Sequence, residues 1–164
     1  MARVGWRGLS FGIARLFTPH SRYPERDRKN APRILAVVSP GPDRHLIQAI
    51  AQDSGWILTL SETLAAPTFG CPADVPPLVI YDREISPNHW HDTVRALTKK
   101  SPRPYVILLS RNADANLWDE LQRAGGCDIL RTPVQKDNLL WAVKKAWVLW
   151  HNQQHVRVPL PDRV

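Results

Sequence analysis

The stretch that most constrains the fold is Leu78 to Asp82, where an apolar run passes directly into a carboxylate. The run follows Pro76-Pro77 and contains β-branched and aromatic residues, which is typical of a strand buried on both faces of a parallel sheet. A strand of this kind ends where charge begins, which here is Asp82. Open α/β sheets place their ligands and reacting groups at the carboxyl ends of such strands. This one stretch therefore predicts a fold class and a candidate site.

The rest of the chain alternates between similar apolar runs and helical patterns. Strands are predicted at 33–38, 56–60, 77–82, 105–110 and 128–131, and helices at 43–55, 88–100, 113–124 and 136–151. We expect Asp43 and Asn88 to cap the helices that follow them, because each is a side-chain acceptor ahead of a periodic segment. Residues 61–76 contain Pro and Gly, so we expect the helix between the second and third strands to be short or lost, with one possible turn around Leu64. The pattern predicts an α/β fold: a doubly wound five-stranded parallel sheet with helices on both faces.

The formal charge of +7 is concentrated at one end of the chain. Residues 1–33 contain eight basic and two acidic residues, so the remainder carries one net positive charge. We expect a basic extension and linker over 1–32, the α/β domain over 33–151 and a tail over 152–164. Within 3–17 arginines are interleaved with apolar residues. This segment could lie on an anionic membrane, dock on a partner or remain a loose arm. Nucleic-acid binding through the extension is a further alternative, which the near-neutral charge of the domain does not favour.

Cysteine usage and hydropathy indicate a cytoplasmic protein. Cys71 and Cys127 are the two cysteines, they have no metal-ligand spacing, and no apolar run reaches the length of about 18 residues that spans a membrane. His89, His91 and Asp92 are neighbours, but two histidines two positions apart on a helix do not share a face. We therefore predict no metal site there, since structural zinc needs four convergent ligands.

Several of these segments together resemble the receiver domain of bacterial response regulators. The strongest match is Arg123 to Pro133, whose sequence RAGGCDILRTP is similar to the family pattern K-A-G-A-D-D-Y-L-x-K-P. Leu78–Asp82 is similar to the strand that bears the phosphoacceptor aspartate, and Val106–Ser110 to the strand that ends in a Ser or Thr. The resemblance covers about residues 33 to 150 and implies a flavodoxin-like fold with strand order 2-1-3-4-5. It also implies that Asp82 is the candidate phosphoacceptor and Ser110 the candidate phosphate contact.

The sequence departs from the family at most other site positions. In the family two acids end the first strand and help to hold Mg²⁺, which neutralises the phosphoryl oxygens. Those positions here are Ser39 and Pro40, or Val38 and Ser39 if the alignment shifts by one residue. The lysine before the last-strand proline is Thr132, and the switch aromatic is Ile129.

These departures favour a non-catalytic reading of Asp82. We expect a structural carboxylate that caps backbone amides in the following turn, with no Mg²⁺ or other cofactor and no enzymatic activity. We expect Arg131 to point away from Asp82, because successive strand residues face opposite sides of a sheet. The alternative is a working phospho-acceptor response regulator in a two-component phosphorelay, using Asp82 and Ser110, with Glu84 as a substitute metal ligand.

The last helix is apolar almost all round. From Leu139 to Trp150 every residue except two lysines is apolar, whereas a helix covering one side of a sheet needs only one apolar stripe. In the receiver family, the face formed by the fourth helix, the fifth strand and the last helix is the usual dimer or partner surface. The residues that would form this face are Trp118, Trp141, Lys144, Lys145 and Val148.

Two interpretations of this face remain open. It could contact a protein partner or a second copy, as exposed aromatics at this density suggest, or the basic extension or the tail could fold over it. The combined prediction is a receiver-like signalling module, a pseudo-receiver, that acts through protein contacts.

Overall fold

The computed structural model describes residues 30–64 and 76–156, with side chains described as far as 154. Strands and helices alternate along both segments, and a short 3₁₀ turn follows the third strand. The elements are β1 (Arg33–Val37), α1 (Pro42–Ser54), β2 (Ile57–Ser61), β3 (Leu78–Asp82), the 3₁₀ turn (Arg83–Ile85), α2 (Trp90–Thr98), β4 (Tyr105–Ser110), α3 (Ala115–Ala124), β5 (Asp128–Arg131) and α4 (Lys136–Val156).

The five strands form one parallel sheet in the order β2-β1-β3-β4-β5. This order confirms the predicted doubly wound class and the predicted arrangement of strands. All five strands run the same way, so their carboxyl ends meet at one edge of the sheet.

Alternate residues of the central strands face two separate apolar layers. On one side, Ile34 and Ala36 of β1 pack with α1 and α4; on the other, Leu35 and Val37 pack with α2 and α3. Residues of β3 and β4 divide between the layers in the same way. Burial on both faces explains why these strands are uniformly apolar instead of alternating with polar residues.

The prediction that Asp43 caps the first helix is wrong. Helix α1 begins at Pro42, with Gly41 as its cap residue and no side-chain cap hydrogen bond. Proline suits the first helical position, because its missing N–H has no helical partner there in any case. Asp43 therefore falls inside the first turn. Its carboxylate Oδ1 accepts a hydrogen bond from the backbone N–H of Val134, at 2.7 Å.

The prediction that Asn88 caps the second helix is also wrong. Asn88 is exposed in a turn, and α2 begins at Trp90 after His89 without a side-chain cap. Asp114 does act as a cap, since its Oδ1 accepts from the N–H of Leu117 at 2.8 Å and so satisfies an otherwise free donor of α3.

The last helix is longer than predicted. It continues to Val156, five residues past the expected end at His151, so its final part includes residues assigned to the tail. Even this helix is not apolar enough to cross a membrane, and no other helix in 30–64 or 76–156 is. The helix predicted to be short or lost between β2 and β3 falls mostly within 65–75, which lies outside the described residues. Residues 1–29 and 157–164 also lie outside them.

Candidate functional site

Asp82 lies at the carboxyl end of the central strand β3. The register pairs it with Leu109 of β4, and continuation of the β1 pairing places Val38 on its other side. Its side chain is 9% exposed, and Oδ1 accepts a hydrogen bond from the N–H of Glu84 at 3.0 Å. The carboxylate thus caps the 3₁₀ turn that follows the strand, as the sequence predicted.

Ser110 ends β4, the strand next to β3, and is 1% exposed. Its hydroxyl donates to the carbonyl of Asn112 at 2.9 Å and accepts from the N–H of the same residue at 3.3 Å. The structure therefore brings Asp82 and Ser110 to neighbouring strand ends. Both hydrogen bonds of the Ser110 hydroxyl stabilise the turn from Ser110 to Asn112.

The end of β1 supplies no carboxylate beside Asp82. Val38 is buried in the α1–α4 layer, while Ser39 and Pro40 are exposed. Instead, the guanidinium of Arg44 reaches this edge, with Nη1 at 3.4 Å from the Val38 carbonyl and 3.1 Å from Glu62 Oε1. No sequence signal separated Arg44 from other basic helix residues.

A second arginine lies on the other side of Asp82. Arg111 directly follows β4, and its Nη2 donates to Oε2 of Glu84, so an ion pair joins the ends of β3 and β4. The Glu84 carboxylate raises the pKa of Arg111 through this hydrogen bond and through its charge, and the charge of Asp82 adds to the effect. Sequence reasoning missed Arg111, although its position just past a strand end was a usable signal.

The loop after β5 completes this edge. Thr132 is half-buried and donates its N–H to the carbonyl of Ser110 at 3.0 Å, while Arg131 is exposed. Ile129 packs half-buried against the α2–α3 layer. The Asp43 to Val134 hydrogen bond ties this loop to α1, so the loops after β1 and β5 are joined.

Whether this edge could hold Mg²⁺ depends on its carboxylates and on the partners that they already have. Mg²⁺ demands near-octahedral oxygen coordination, usually with one or two carboxylates and several waters. The carboxylates near this edge already have partners inside the chain: backbone N–H groups for Asp43 and Asp82, and arginines for Glu62 and Glu84. Among the described residues no group of three or more His, Cys, Asp or Glu side chains could hold a metal ion.

The histidine cluster on α2 is likewise not a convergent site in the described part of the chain. His91 Nε2 lies 3.1 Å from Glu120 Oε2 on α3, whereas Asp92 pairs with Arg95 at 3.7 Å. His89 is exposed ahead of the helix. The neighbours in sequence therefore face different partners.

Helix α4 exposes much of the predicted contact face. Trp141 is 62% exposed and Val148 50% exposed. The ammonium of Lys145 lies 4.8 Å from the centre of the Trp141 ring and 3.5 Å from Asp128 Oδ2. Lys144 is exposed as well.

Trp118 is half-buried on α3, which packs on the other layer of the sheet from α4. The exposed residues of the predicted face lie on α4, where Lys145 pairs with Asp128 of β5.

The fold defines the class to which this protein is similar. The arrangement is a flavodoxin-like doubly wound sheet with a carboxylate at the end of its central strand. No protein-family model matches the sequence, and no curated protein matches it.

Solved structures give the more particular likeness. The signal receiver domain of a Vibrio parahaemolyticus protein assigned as a LuxO repressor is 19% identical, covers 79% of this chain and 99% of its own, and has a TM-score of 0.67. A Burkholderia pseudomallei protein assigned to pilus assembly is 20% identical over 74% of this chain and 92% of its own, at 0.61. The receiver domain of a Pseudomonas aeruginosa sensor histidine kinase, solved with magnesium in its active-site cleft, is 18% identical over 71% and 98%, at 0.59. The chain therefore has the fold of response regulator receiver domains.

Proposed function

We propose that the chain is a cytoplasmic, receiver-like signalling module that works through protein contacts and does not use Asp82 as a magnesium-dependent phosphoryl acceptor. The observation that carries the proposal is that two arginines at this edge of the sheet are each paired with a glutamate: Arg44 with Glu62 and Arg111 with Glu84. Positive charge at this edge is supplied by the chain itself.

The chemistry of phosphoryl transfer supports this reading. Transfer relies on positioning and on a divalent cation that neutralises the charge developing on the phosphoryl oxygens. The charge of the Glu84 carboxylate is already balanced by Arg111, so a cation would have to displace Arg111 to bind Glu84. The end of β1, which would have to supply further ligands, has only Val38, Ser39 and Pro40.

The contact role rests on the α4 face and not on the fold. Trp141 and Val148 are exposed, and tryptophan is one of the residue types enriched at protein interfaces. The fold by itself does not fix the role. A receiver-like fold also occurs in the protein assigned to pilus assembly.

Intact-mass measurement after incubation with acetyl phosphate and Mg²⁺ tests the proposal. We expect no added phosphoryl mass on the wild-type chain, while a working receiver domain treated in parallel gains it. We also expect no shift in melting temperature on adding Mg²⁺ and beryllofluoride. A phosphoryl adduct that is absent from Asp82→Asn would contradict the proposal and establish the phospho-acceptor alternative.

A further inference from the structure

Two buried N–H donors lie next to each other on the α2–α3 side of the sheet edge. Arg83 belongs to the 3₁₀ turn after β3, and Trp90 is the first residue of α2 and is 0% exposed. The guanidinium carbon of Arg83 lies 5.9 Å from the centre of the Trp90 ring. Arg83 Nε and Trp90 Nε1 are both buried, and neither has a hydrogen-bond partner in the part of the chain that the structure describes. Buried donors are normally paired, because an unpaired one costs the free energy of its desolvation.

The charge of Arg83 is also uncompensated. The acidic residues nearest to it in sequence have other partners: Asp82 accepts from the N–H of Glu84, and Glu84 pairs with Arg111. Among the described residues no carboxylate forms an ion pair with Arg83. Helix α2 begins at Trp90 without a side-chain cap, so the positive end of its dipole lies beside the two donors.

We propose that Arg83 and Trp90 form a binding site for a carboxylate. One edge of a guanidinium offers Nε–H and a terminal N–H side by side, and this fork matches the two oxygens of a carboxylate. The indole N–H of Trp90 supplies a further donor to the same anion. Arg83 is half-buried, so a ligand reaches its side chain from solvent. The site goes beyond the proposed function, because it uses neither Asp82 as an acceptor nor the α4 face.

The charge balance favours a carboxylate over a dianion such as phosphate or sulfate. The site has one unpaired positive charge, since the neighbouring Arg111 already balances Glu84. Asp82 directly precedes Arg83, and its negative charge disfavours a second negative charge on the ligand. A small carboxylic acid and an acidic protein side chain present the same group, so the experiment below distinguishes between them.

The ring of Trp90 is held in place before a ligand binds. The His91 ring stacks on it with 3.8 Å between the ring centres, and His91 Nε2 lies 3.1 Å from Glu120 Oε2 of α3. A donor fixed in advance loses less conformational entropy on binding. A ligand as small as acetate still offers little binding energy, so we expect a dissociation constant on the order of 10 mM.

Titration of the isotope-labelled full-length chain with sodium acetate, followed by NMR, tests the proposal. The signal to follow is the indole N–H of Trp90, which is identified by its loss in Trp90→Phe. We expect it to move downfield and to saturate, because a hydrogen bond to a charged acceptor deshields the proton. Sodium chloride and sodium sulfate at the same ionic strength should move it much less. Trp150 is an internal control whose signal should not follow the titration: its Nε1 is also buried and unpartnered, and its described ring neighbours are Trp147 and His151.

Matched substitutions separate the fork of Arg83 from its charge. Arg83→Gln should weaken acetate binding about tenfold or more, and Arg83→Lys nearly as much, because lysine keeps the charge but loses the fork. Arg95→Gln removes the same charge from an exposed position on α2 and should change the affinity by less than about twofold, because exposed charges are screened. The melting temperature of each variant shows that it is folded.

A second probe identifies the source of the carboxylate. An alanine peptide with capped ends and one central glutamate presents the group as an acidic side chain. Binding of this peptide at least as tight as that of acetate would assign the site to an acidic protein segment, and weaker binding would assign it to a small carboxylic acid.

Three results would overturn the site. These are a Trp90 signal that acetate moves no more than chloride does, a stronger response to sulfate than to acetate, and equal acetate affinities of the parent chain and Arg83→Gln. None of them bears on Asp82 as a phosphoryl acceptor, because the titration contains neither a phosphodonor nor Mg²⁺.

Discussion

At the scale of single residues, the Asp43 carboxylate ties the first turn of α1 to the loop after β5. It is part-buried and accepts from the N–H of Val134 at 2.7 Å. We expect Asp43→Ala to lower the free energy of unfolding by about 1–3 kcal/mol, because a partly buried donor loses its charged acceptor. Asp43→Asn keeps an acceptor and should cost less. Urea unfolding measures both, with the exposed Asp119→Ala as control; equal effects of Asp43→Ala and Asp119→Ala would contradict this role.

Cys127 illustrates how burial controls the reactivity of a residue. Burial, and to a smaller extent the charge of Asp128, raise the pKa of its thiol to about 12, and the thiol donates to the Val106 carbonyl at 3.2 Å. In a Cys71→Ser background, we expect no reaction with Ellman's reagent at pH 8 until urea unfolds the chain, because only about one thiol in ten thousand is then ionised. Rapid labelling of the folded protein would show that the thiol is accessible.

The same raised pKa makes stability depend on pH in a defined direction. Above the ordinary thiol pKa the unfolded chain loses the Cys127 proton, whereas the folded chain keeps it until about pH 12. The unfolded state then binds fewer protons, so stability falls as pH rises between about 9 and 12, by at most about 1.4 kcal/mol per pH unit. Urea midpoints at pH 8 and pH 10 should fall less in Cys127→Ala than in the parent chain. Equal falls in the two chains would exclude this contribution.

At the scale of elements, the sequence predicted strands better than helix ends. The buried strands are uniformly apolar, and that pattern survives whatever packs on them. Helix starts depend on which side chain reaches which N–H, and at Asp43 and Asn88 the acceptor chosen from sequence was wrong. The far end of α4 was placed too early, because no glycine or proline marks a stop before Val156.

The end of α3 offers a test of packing at this scale. Gly126 follows the helix, and a Cβ added there would overlap the side chain of Leu121, which is fully buried. We expect Gly126→Ala to cost about 1–3 kcal/mol of stability through overpacking. In a Leu121→Ala background the same change should cost little, since the obstructing atoms are gone. A double-mutant cycle by urea unfolding measures the coupling, and additive effects would contradict the clash.

At the scale of the whole molecule, the edge of the sheet was predictable but its charge balance was not. Asp82 and Ser110 end apolar strands, so their meeting follows from the strand pattern. The ion pairs join residues 18 and 27 positions apart, and the Asp43 hydrogen bond spans 91 positions. Contacts of this kind depend on how separate segments are placed in space, which local periodicity does not encode.

The distribution of charge over the chain gives a last prediction, about nucleic acid. Residues 1–33 carry a net +6 of the formal +7, so the sheet domain offers little charge for binding phosphates. We expect any salt-sensitive retention on DNA to depend on the extension, because the salt dependence of binding increases by about one unit of slope for each phosphate that a basic side chain neutralises. The test substitutes glutamine at four arginines of the extension: Arg3, Arg7, Arg15 and Arg22.

A matched variant removes the same charge from the domain, with glutamine at four exposed positions: Arg123, Arg131, Lys136 and Lys144. Retention on a DNA column across a salt gradient should fall strongly in the first variant and little in the second, although both have the same net charge. The comparison therefore separates a local basic segment from a general effect of positive charge. Equal losses of retention in the two variants would mean that the domain itself also binds the phosphates. The sheet domain would then have a basic binding surface in spite of its nearly neutral net charge.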